Sequence, residues 1–487
     1  MKIISNLILL GSICMFPLIS YAQFTKGLSY RTETCVNFSG GEHTPFWLTA
    51  NKQGLSSIEK NNGYLRAGVF RELESDKRFS YAFGADLAVA YNFTSTFVVQ
   101  QLYADLKYRC LGLSIGSKER HSEFNNPLLS SGGLTFSGNA RPIPQVRIGI
   151  PEYTLVPGTK GWLAFKGHIA YGMFTDDGWQ KDFVVPGGKH TEHVLYHSKD
   201  LYVKIGNREK FPLIFEGGLE MAAQFGGNAF IGDKKTDMPN GIKDFFKVFI
   251  PSGGNSDTPM GEQTNIYGNH LGSWNFSLTW YAPKDWTIRP YYEHYFEDHS
   301  QMFGEYGWKD CLVGVEITFP KNPIVSSFVY EYISTKDQTG PIYWDHTPEI
   351  PEQVSGADNY YNHGIYTGWQ HWGMGIGNPL VMSPIYNNDG EIVFKSNRLQ
   401  GHHFGIMGTP CVDLQYRVLL SITRNWGTYG VPFYEIKKNG NALVELIYTP
   451  HQLKGWDFTG SLGIDRGAML GKSAGGMLTI RKTGWIR

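Results

Sequence analysis

The chain reads as all-β: a transmembrane antiparallel β-barrel of about 18 strands with long extracellular loops. Three observations predict this. Residues 78–91 alternate without a break, with Phe79, Tyr81, Phe83, Ala85, Leu87, Val89 and Tyr91 on one face and Ser80, Ala82, Gly84, Asp86, Ala88 and Ala90 on the other. Strand side chains point to opposite faces with period two, so this segment has one apolar wall and one small or polar wall. Globular strands usually run about five or six residues, whereas a tilted strand crossing a bilayer needs roughly nine to eleven. The same pattern then recurs to the end of the chain. Finally, no segment beyond the N-terminal leader offers the ~18 continuous apolar residues of a membrane helix, so any spanning is done by strands.

Residues 1–22 have a basic start at Lys2, an apolar run and the small-x-small site Ser20-Tyr21-Ala22, which predict a secretory signal peptide cleaved before Gln23. Residues 23–487 are then one barrel. Its strands are read in order. Leu213, Phe215, Leu219, Met221 and Phe225 oppose Glu216, Glu220 and Gln224; Trp274, Phe276, Leu278 and Trp280 oppose Asn275, Ser277 and Thr279. Leu414, Tyr416, Val418, Leu420 and Ile422 oppose Gln415, Arg417 and Thr423, and Trp456, Phe458, Leu462 and Ile464 oppose Asp457, Ser461 and Asp465. Tight connections at 283–285, 320–323, 408–411 and 449–455 alternate with long ones at 175–198, 227–269, 336–400 and 425–441, the largest being 336–400. Short periplasmic turns and longer outer loops are the barrel pattern. The chain then starts and ends on the periplasmic side, which places the protein in the cell outer membrane as a multi-pass barrel with surface-exposed loops.

Composition narrows the function. With 44 basic and 44 acidic residues the net charge is zero, so nothing electrostatic points to nucleic acid. Gly at 58 residues and aromatics at 15% suit bends and interfacial girdles. Cys35, Cys110, Cys311 and Cys411 are dispersed without a CxxC pair, which argues against zinc or redox chemistry. His190-x-x-His193 has no third ligand, and Gly373-x-Gly375-x-Gly377 neither follows a strand nor opens a helix, so no metal, no cofactor and no enzyme is expected. Mixed charges on the lumen face, among them Asp86, Asp105, Lys107, Arg109, Glu293, Glu331 and Arg417, read as a pairing lattice rather than an ion-selective ring.

The loops are rich in rings. Trp179, His190 and His193 fall in one, and Tyr343, Trp344, Tyr360, Tyr361, Trp369, His371 and Trp372 in the longest; Trp308 is a further candidate. Exposed rings offer flat apolar faces with a polar edge, suited to the C–H faces of sugars. The alternative is that they pack the loops upon themselves. Residues 141–144, Arg-Pro-Ile-Pro, form a stiff element, because proline fixes φ and extends the residue before it. Folded into the lumen, Arg141, Pro142 and Pro144 would make a constriction, with Arg141 paired to a wall carboxylate; an ordinary surface loop is the competing reading.

Three segments carry a family resemblance: Pro-Phe-Trp-Leu-Thr-Ala-Asn at 45–51, Ser-Gly-Asn-Ala-Arg-Pro-Ile-Pro-Gln-Val-Arg-Ile-Gly at 137–149, and His-His-Phe-Gly-Ile-Met-Gly at 402–408. On these the mature chain resembles the Wzi-type outer-membrane capsule-assembly proteins of Gram-negative bacteria. The resemblance implies an eighteen-stranded barrel with a closed lumen. It also implies a lectin-like, non-catalytic role in retaining capsular or exopolysaccharide at the cell surface. The family's periplasmic helical plug has no clear counterpart; residues 55–62 are a candidate short helix, placed outside by this topology. The expected partners are that polymer and outer-membrane lipid, with the capsule export machinery left open. The alternatives are a solute-conducting porin or transporter and, third, a lumen-edge hydrolase.

Overall fold

The computed structural model describes residues 27–74, 76–251, 267–297, 302, 308–320, 322–343 and 354–486. The expected leader at 1–22, Trp344 and the Tyr343 side chain lie outside the described residues. Eighteen strands form one closed sheet. They are β1 (Leu28–Gly41), β2 (Asn61–Arg71), β3 (Phe79–Tyr91), β4 (Phe97–Tyr108), β5 (Leu111–Ser117) and β6 (Gln145–Leu155). Next come β7 (Leu163–Met173), β8 (Leu195–Ile205), β9 (Leu213–Phe225), β10 (Asn269–Tyr281), β11 (Thr287–Glu297) and β12 (Cys311–Thr318). The last are β13 (Ser327–Ser334), β14 (Leu399–Cys411), β15 (Leu414–Gly427), β16 (Pro432–Tyr448), β17 (Trp456–Gly467) and β18 (Gly471–Trp485). Each strand pairs antiparallel with the next, and β18 closes on β1 with Ser29 opposite Trp485 and Gly41 opposite Ser473. Closure leaves no unpaired strand edge, which a bilayer would not tolerate.

The alternation predicted from sequence is the wall of this barrel. On β3, Ser80, Ala82, Asp86, Ala88 and Ala90 are buried while Phe79, Leu87, Val89 and Tyr91 are exposed. The exposed apolar set continues around the outside through Phe38, Leu65, Leu106, Ile148, Leu201, Leu446 and Leu462, so hydrocarbon covers it. This is a transmembrane barrel of the outer membrane. Short connections at 109–110, 156–162, 206–212, 282–286, 412–413 and 449–455 share the end where the chain begins. Arg109, expected in the lumen, instead sits in the left-handed region at φ 56° in one of those turns.

Three connections on the other end are short where length alone predicts loops: 92–96, 428–431 and 468–470. The long connection expected at 425–441 is strand. β15 has 14 residues and β16 has 17, so the ladder continues past the bilayer as a hairpin. The helix expected at 55–62 is also displaced: the helical turn is α1 (Phe46–Thr49), with all four residues buried.

Three outer connections, 42–60, 118–144 and the described part of 335–398, fold into the lumen. There Trp47, Trp369, Tyr360, Tyr361, Phe394, Leu129 and Leu134 pack into one hydrophobic core inside the wall. The connection 226–268 behaves differently. Its helix α3 (Ile242–Phe249; α2, Asp177–Phe183, lies in the connection before β8) rests on the outer wall, where Tyr171 Oη donates to Phe245 O at 2.9 Å and Phe245 packs on Phe225. Ile242 and Phe246 stay exposed and extend the lipid-facing belt.

Candidate functional site

The three segments that carry the family resemblance converge inside the barrel. Phe46 of α1 donates its N–H to Asp465 Oδ2 at 2.7 Å, and Trp47 packs on the His403 ring at 5.0 Å. His403 bridges Ser421 Oγ and the Leu129 carbonyl, each at 2.8 Å. A carbonyl only accepts, so Nε2 carries the proton and Nδ1 accepts from the serine. At Gly405 a Cβ would stand 2.3 Å from Leu129 O, so the inserted chain can lie against β14 only because no side chain is there. From the middle segment, Gly138 O accepts Gln53 N–H at 2.6 Å, Ser137 N–H reaches Ile376 O at 2.8 Å, and Asn139 Nδ2 reaches Gly375 O at 2.9 Å. Residues 137–139 thereby pin the first inserted loop to the longest one.

Wall charges hold residues 118–144 across the lumen. On one side Arg66 pairs with Glu119 at 2.6 Å and Asp105 with Lys118 at 2.5 Å. On the other, Glu331 accepts Ser130 Oγ, the Ser131 N–H and Ser131 Oγ at 2.5, 2.7 and 2.6 Å. Glu293 accepts the Leu134 N–H at 2.8 Å. Arg289 and Arg417 donate to the carbonyls of Phe124 and Leu128 at 2.9 and 3.0 Å. The mixed lumen charges are thus a pairing lattice that also tethers a plug. Below it, a cavity of about 460 Å³ runs from Leu48 and Asn62 down to Thr449 and Asp457, with the Glu33–Arg481 and Glu445–Arg417 pairs on its wall.

Most ring candidates from the sequence belong to the plug. Trp369 is 0% exposed and donates Nε1–H to Thr135 O at 2.8 Å. Tyr361 donates to Leu134 O, Tyr360 to Asp310 Oδ2 at 3.0 Å, and His371 Nδ1 to Arg141 O at 3.0 Å. Trp179 is buried against Phe183. These rings are buried, most with the polar edge hydrogen-bonded, so they pack the plug as the second reading expects and are not exposed as platforms. Trp372 is half-buried beneath the Arg141 guanidinium, 4.4 Å from its ring centroid. Trp308 stacks on Tyr292 and His294, which face outward on β11, so it lies on the outer wall and not at a loop tip. His190 stacks on Phe230 at 4.8 Å, and the His193 side chain is 68% exposed beside Glu192.

Residues 141–144 run inside the barrel, but among the described residues Arg141 does not pair with a wall carboxylate. Its Nη2 donates to Thr94 Oγ1 at 2.7 Å, and burial lowers its pKa to about 10. Pro142 O accepts Ser117 Oγ at 3.1 Å and Pro144 O accepts the Met173 N–H at 3.2 Å, fixing the return into β6. The sequence reading missed Glu331, Glu293 and His403 as plug anchors. Three unlike segments had to be brought together before their partners existed, and only the glycine in His402-His403-Phe404-Gly405 marks the close approach.

Asp310 is an anchor outside the membrane-spanning strands whose charge depends on pH. Asp310, just ahead of β12, accepts the Asp337 N–H at 2.9 Å and Tyr360 Oη at 3.0 Å, and burial raises its pKa to about 6. A carboxyl raised above its unfolded value of ~3.9 favours the closed loop at low pH, and that contribution is lost as pH rises through about 6. The two-unit displacement corresponds to at most about 3 kcal/mol. The expected result is a melting temperature that falls between about pH 4 and 6 in the wild type and levels off above that, and an Asp310→Asn protein in which this fall is flatter. Thermal melts of detergent-solubilised protein check it.

Fold and interior together define the class, an outer-membrane β-barrel with a plugged lumen. No family model and no curated protein matches the chain. Among solved structures it is similar to Wzi of Escherichia coli, described as an outer-membrane protein involved in group 1 capsule assembly and a carbohydrate-binding β-barrel. Identity is 12%, the match covers 94% of this chain and 85% of that one, and the TM-score is 0.58. It is also similar to OprD of Pseudomonas aeruginosa, at 9% identity over 95% of each chain with a TM-score of 0.47. At 12% identity the likeness to the Escherichia coli barrel bears on the fold alone.

Proposed function

We propose that the protein is a Wzi-type surface anchor that binds and retains capsular or exopolysaccharide at the outer face without catalysing a reaction. The observation that carries this reading is the plug. Of the segments on which the family resemblance rests, 45–51 and 137–144 lie inside the barrel, against 402–408 of β14, and fill space a conducting pore would need open. The likeness in fold to a barrel described as carbohydrate-binding supports the same reading. Retention needs no strong single contact, because a long polymer meets many copies and avidity multiplies weak ones. Outer-face groups open to a polymer include His193 and half-buried His190 on the small sheet formed by His190–Glu192, Asn228–Ile231 and Lys234–Asp237.

The test is the partition of surface polysaccharide between washed cells and supernatant in an in-frame deletion strain. Anchoring predicts a several-fold shift to the supernatant at constant total polymer. An unchanged partition, together with steady conductance of the purified barrel in a planar bilayer, would instead favour the porin reading.

A further inference from the structure

The extracellular ends of β15 to β18 carry an outward-facing basic ladder that the plug and the loops do not use. Arg424 on β15 stands directly opposite Lys438 on β16, and Arg466 on β17 directly opposite Lys472 on β18. Gly440, two residues after Lys438 on the same face, stands opposite Arg466, so the two pairs are contiguous across four neighbouring strands. All four side chains are exposed. Neighbouring strands lie about 4.8 Å apart, so the ladder spans roughly 15 Å. Like charges directly opposite one another destabilise a sheet. Among the described residues none of the four has an ion-pair partner; of the nearby carboxylates, Asp465 turns inward to Phe46 and Asn441, and Glu42 lies over Gly471 beside Lys472 without pairing with it.

The wall around this ladder is shaped as well as charged. Where β17 and β18 meet β1, the outer surface has an open depression of about 530 Å³. Gly40, Gly41 and Ala474 give it a floor without bulk, and Arg466 and Lys472 stand at its outer rim. Ile464 flanks it, and the exposed Phe38, Leu462 and Leu478 continue from it towards the bilayer centre. Cations at headgroup level above a small-residue groove within an apolar belt fit one amphiphile: a phosphorylated glycolipid whose phosphates meet the basic row while an acyl chain lies in the groove. Arg and Lys both bind phosphate well, Arg in bidentate fashion.

We propose that β15–β18 form a binding site for phosphorylated glycolipid of the outer leaflet. The continuity of this surface with the lipid-facing belt selects lipid over a soluble anion or a polymer held above the membrane. The site is independent of the polysaccharide reading, since it faces the bilayer and not the loops.

The experiment measures melting of the purified barrel in neutral detergent with added diphosphorylated lipid A, its dephosphorylated form, inorganic phosphate or a soluble polyuronate. Two variants of equal charge are compared: Arg466→Ser with Lys472→Ser at the rim, and Lys234→Ser with Lys235→Ser in the distant small sheet. Heat-modifiable migration on gels confirms that each has folded. The expected result is a rise in melting temperature with diphosphorylated lipid A alone, retained in the distant variant, and an affinity about tenfold weaker in the rim variant. An equal rise with the dephosphorylated lipid, or in the rim variant, overturns the proposal. So does a rise with phosphate alone, or loss of the effect in the distant variant. A polyuronate that matches the lipid and competes with it would assign the ladder to an acidic polymer instead.

Discussion

Trp369→Ala should convert a nearly silent barrel into a conducting one. The indole is wholly buried in the plug, faces Tyr196 with ring centroids 6.0 Å apart, and holds the carbonyl of Thr135. Truncating a buried Trp typically costs about 3–5 kcal/mol, part of it from the cavity left behind. Here the loss falls on the contacts of two inserted loops, 118–144 and 335–398, with each other and with the Tyr196 ring of β8, and not on the strand ladders of the wall, which do not involve this side chain. The barrel should therefore still fold and show its heat-modifiable shift on gels, while single-molecule bilayer recordings change from rare flickers to sustained steps. Trp372→Ala is the comparison. It is half-buried, with one face against Arg141, and its effect should be several-fold smaller. A silent Trp369→Ala barrel would mean that the seal does not depend on the aromatic core.

This result bears on how the chain was read. The wall was legible because a bilayer imposes the same rule on every strand: apolar outward, small or polar inward, for about ten residues. Phe79 to Tyr91 obeys it without exception, and β15 does so apart from Leu419 inside and Arg424 at its outer end. Loops answer to no such rule. A Trp in a long connection serves equally well as a surface platform, as core within the barrel, or as a ring on the outer wall. Trp369 and Trp308 take the second and third of these, although the sequence around them offers the same composition. The direction in which a loop folds depends on partners far along the chain. Leu129 meets His403 and Asn139 meets Gly375, at separations that no local pattern encodes. The hairpin at 425–441 escaped for a different reason. Its glycine and asparagine residues suggest a loop, yet with ladder bonds on both sides the strand continues beyond the membrane.

The second large effect is expected at Glu331, because its loss leaves several buried donors without an acceptor at once. Its carboxylate is 0% exposed and takes hydrogen bonds from Ser130 Oγ, the Ser131 amide and hydroxyl, and Tyr291 Oη at 2.5 Å. Hydrogen bonds to charged groups contribute about 1.5–3 kcal/mol each in mutational series, and a buried donor stripped of its partner carries its full desolvation penalty. Glu331→Ala should therefore release residues 126–135 from the wall. Amide exchange in that segment would rise at least about a hundredfold, equivalent to about 3 kcal/mol, while exchange in β3 stays slow. Glu331→Gln keeps the shape but offers one carbonyl oxygen where two carboxylate oxygens stood, so an intermediate increase is expected. A double-mutant cycle with Ser131→Ala separates the direct bond from general loosening: residues that share a bond couple by about 0.5–3 kcal/mol, whereas independent ones add. Additivity in that cycle, or exchange unchanged in Glu331→Ala, would place the tether elsewhere. Arg417 and His403 each grip a backbone carbonyl of the same segment, and Arg289 grips that of Phe124 just before it; these are the groups that would then hold the plug.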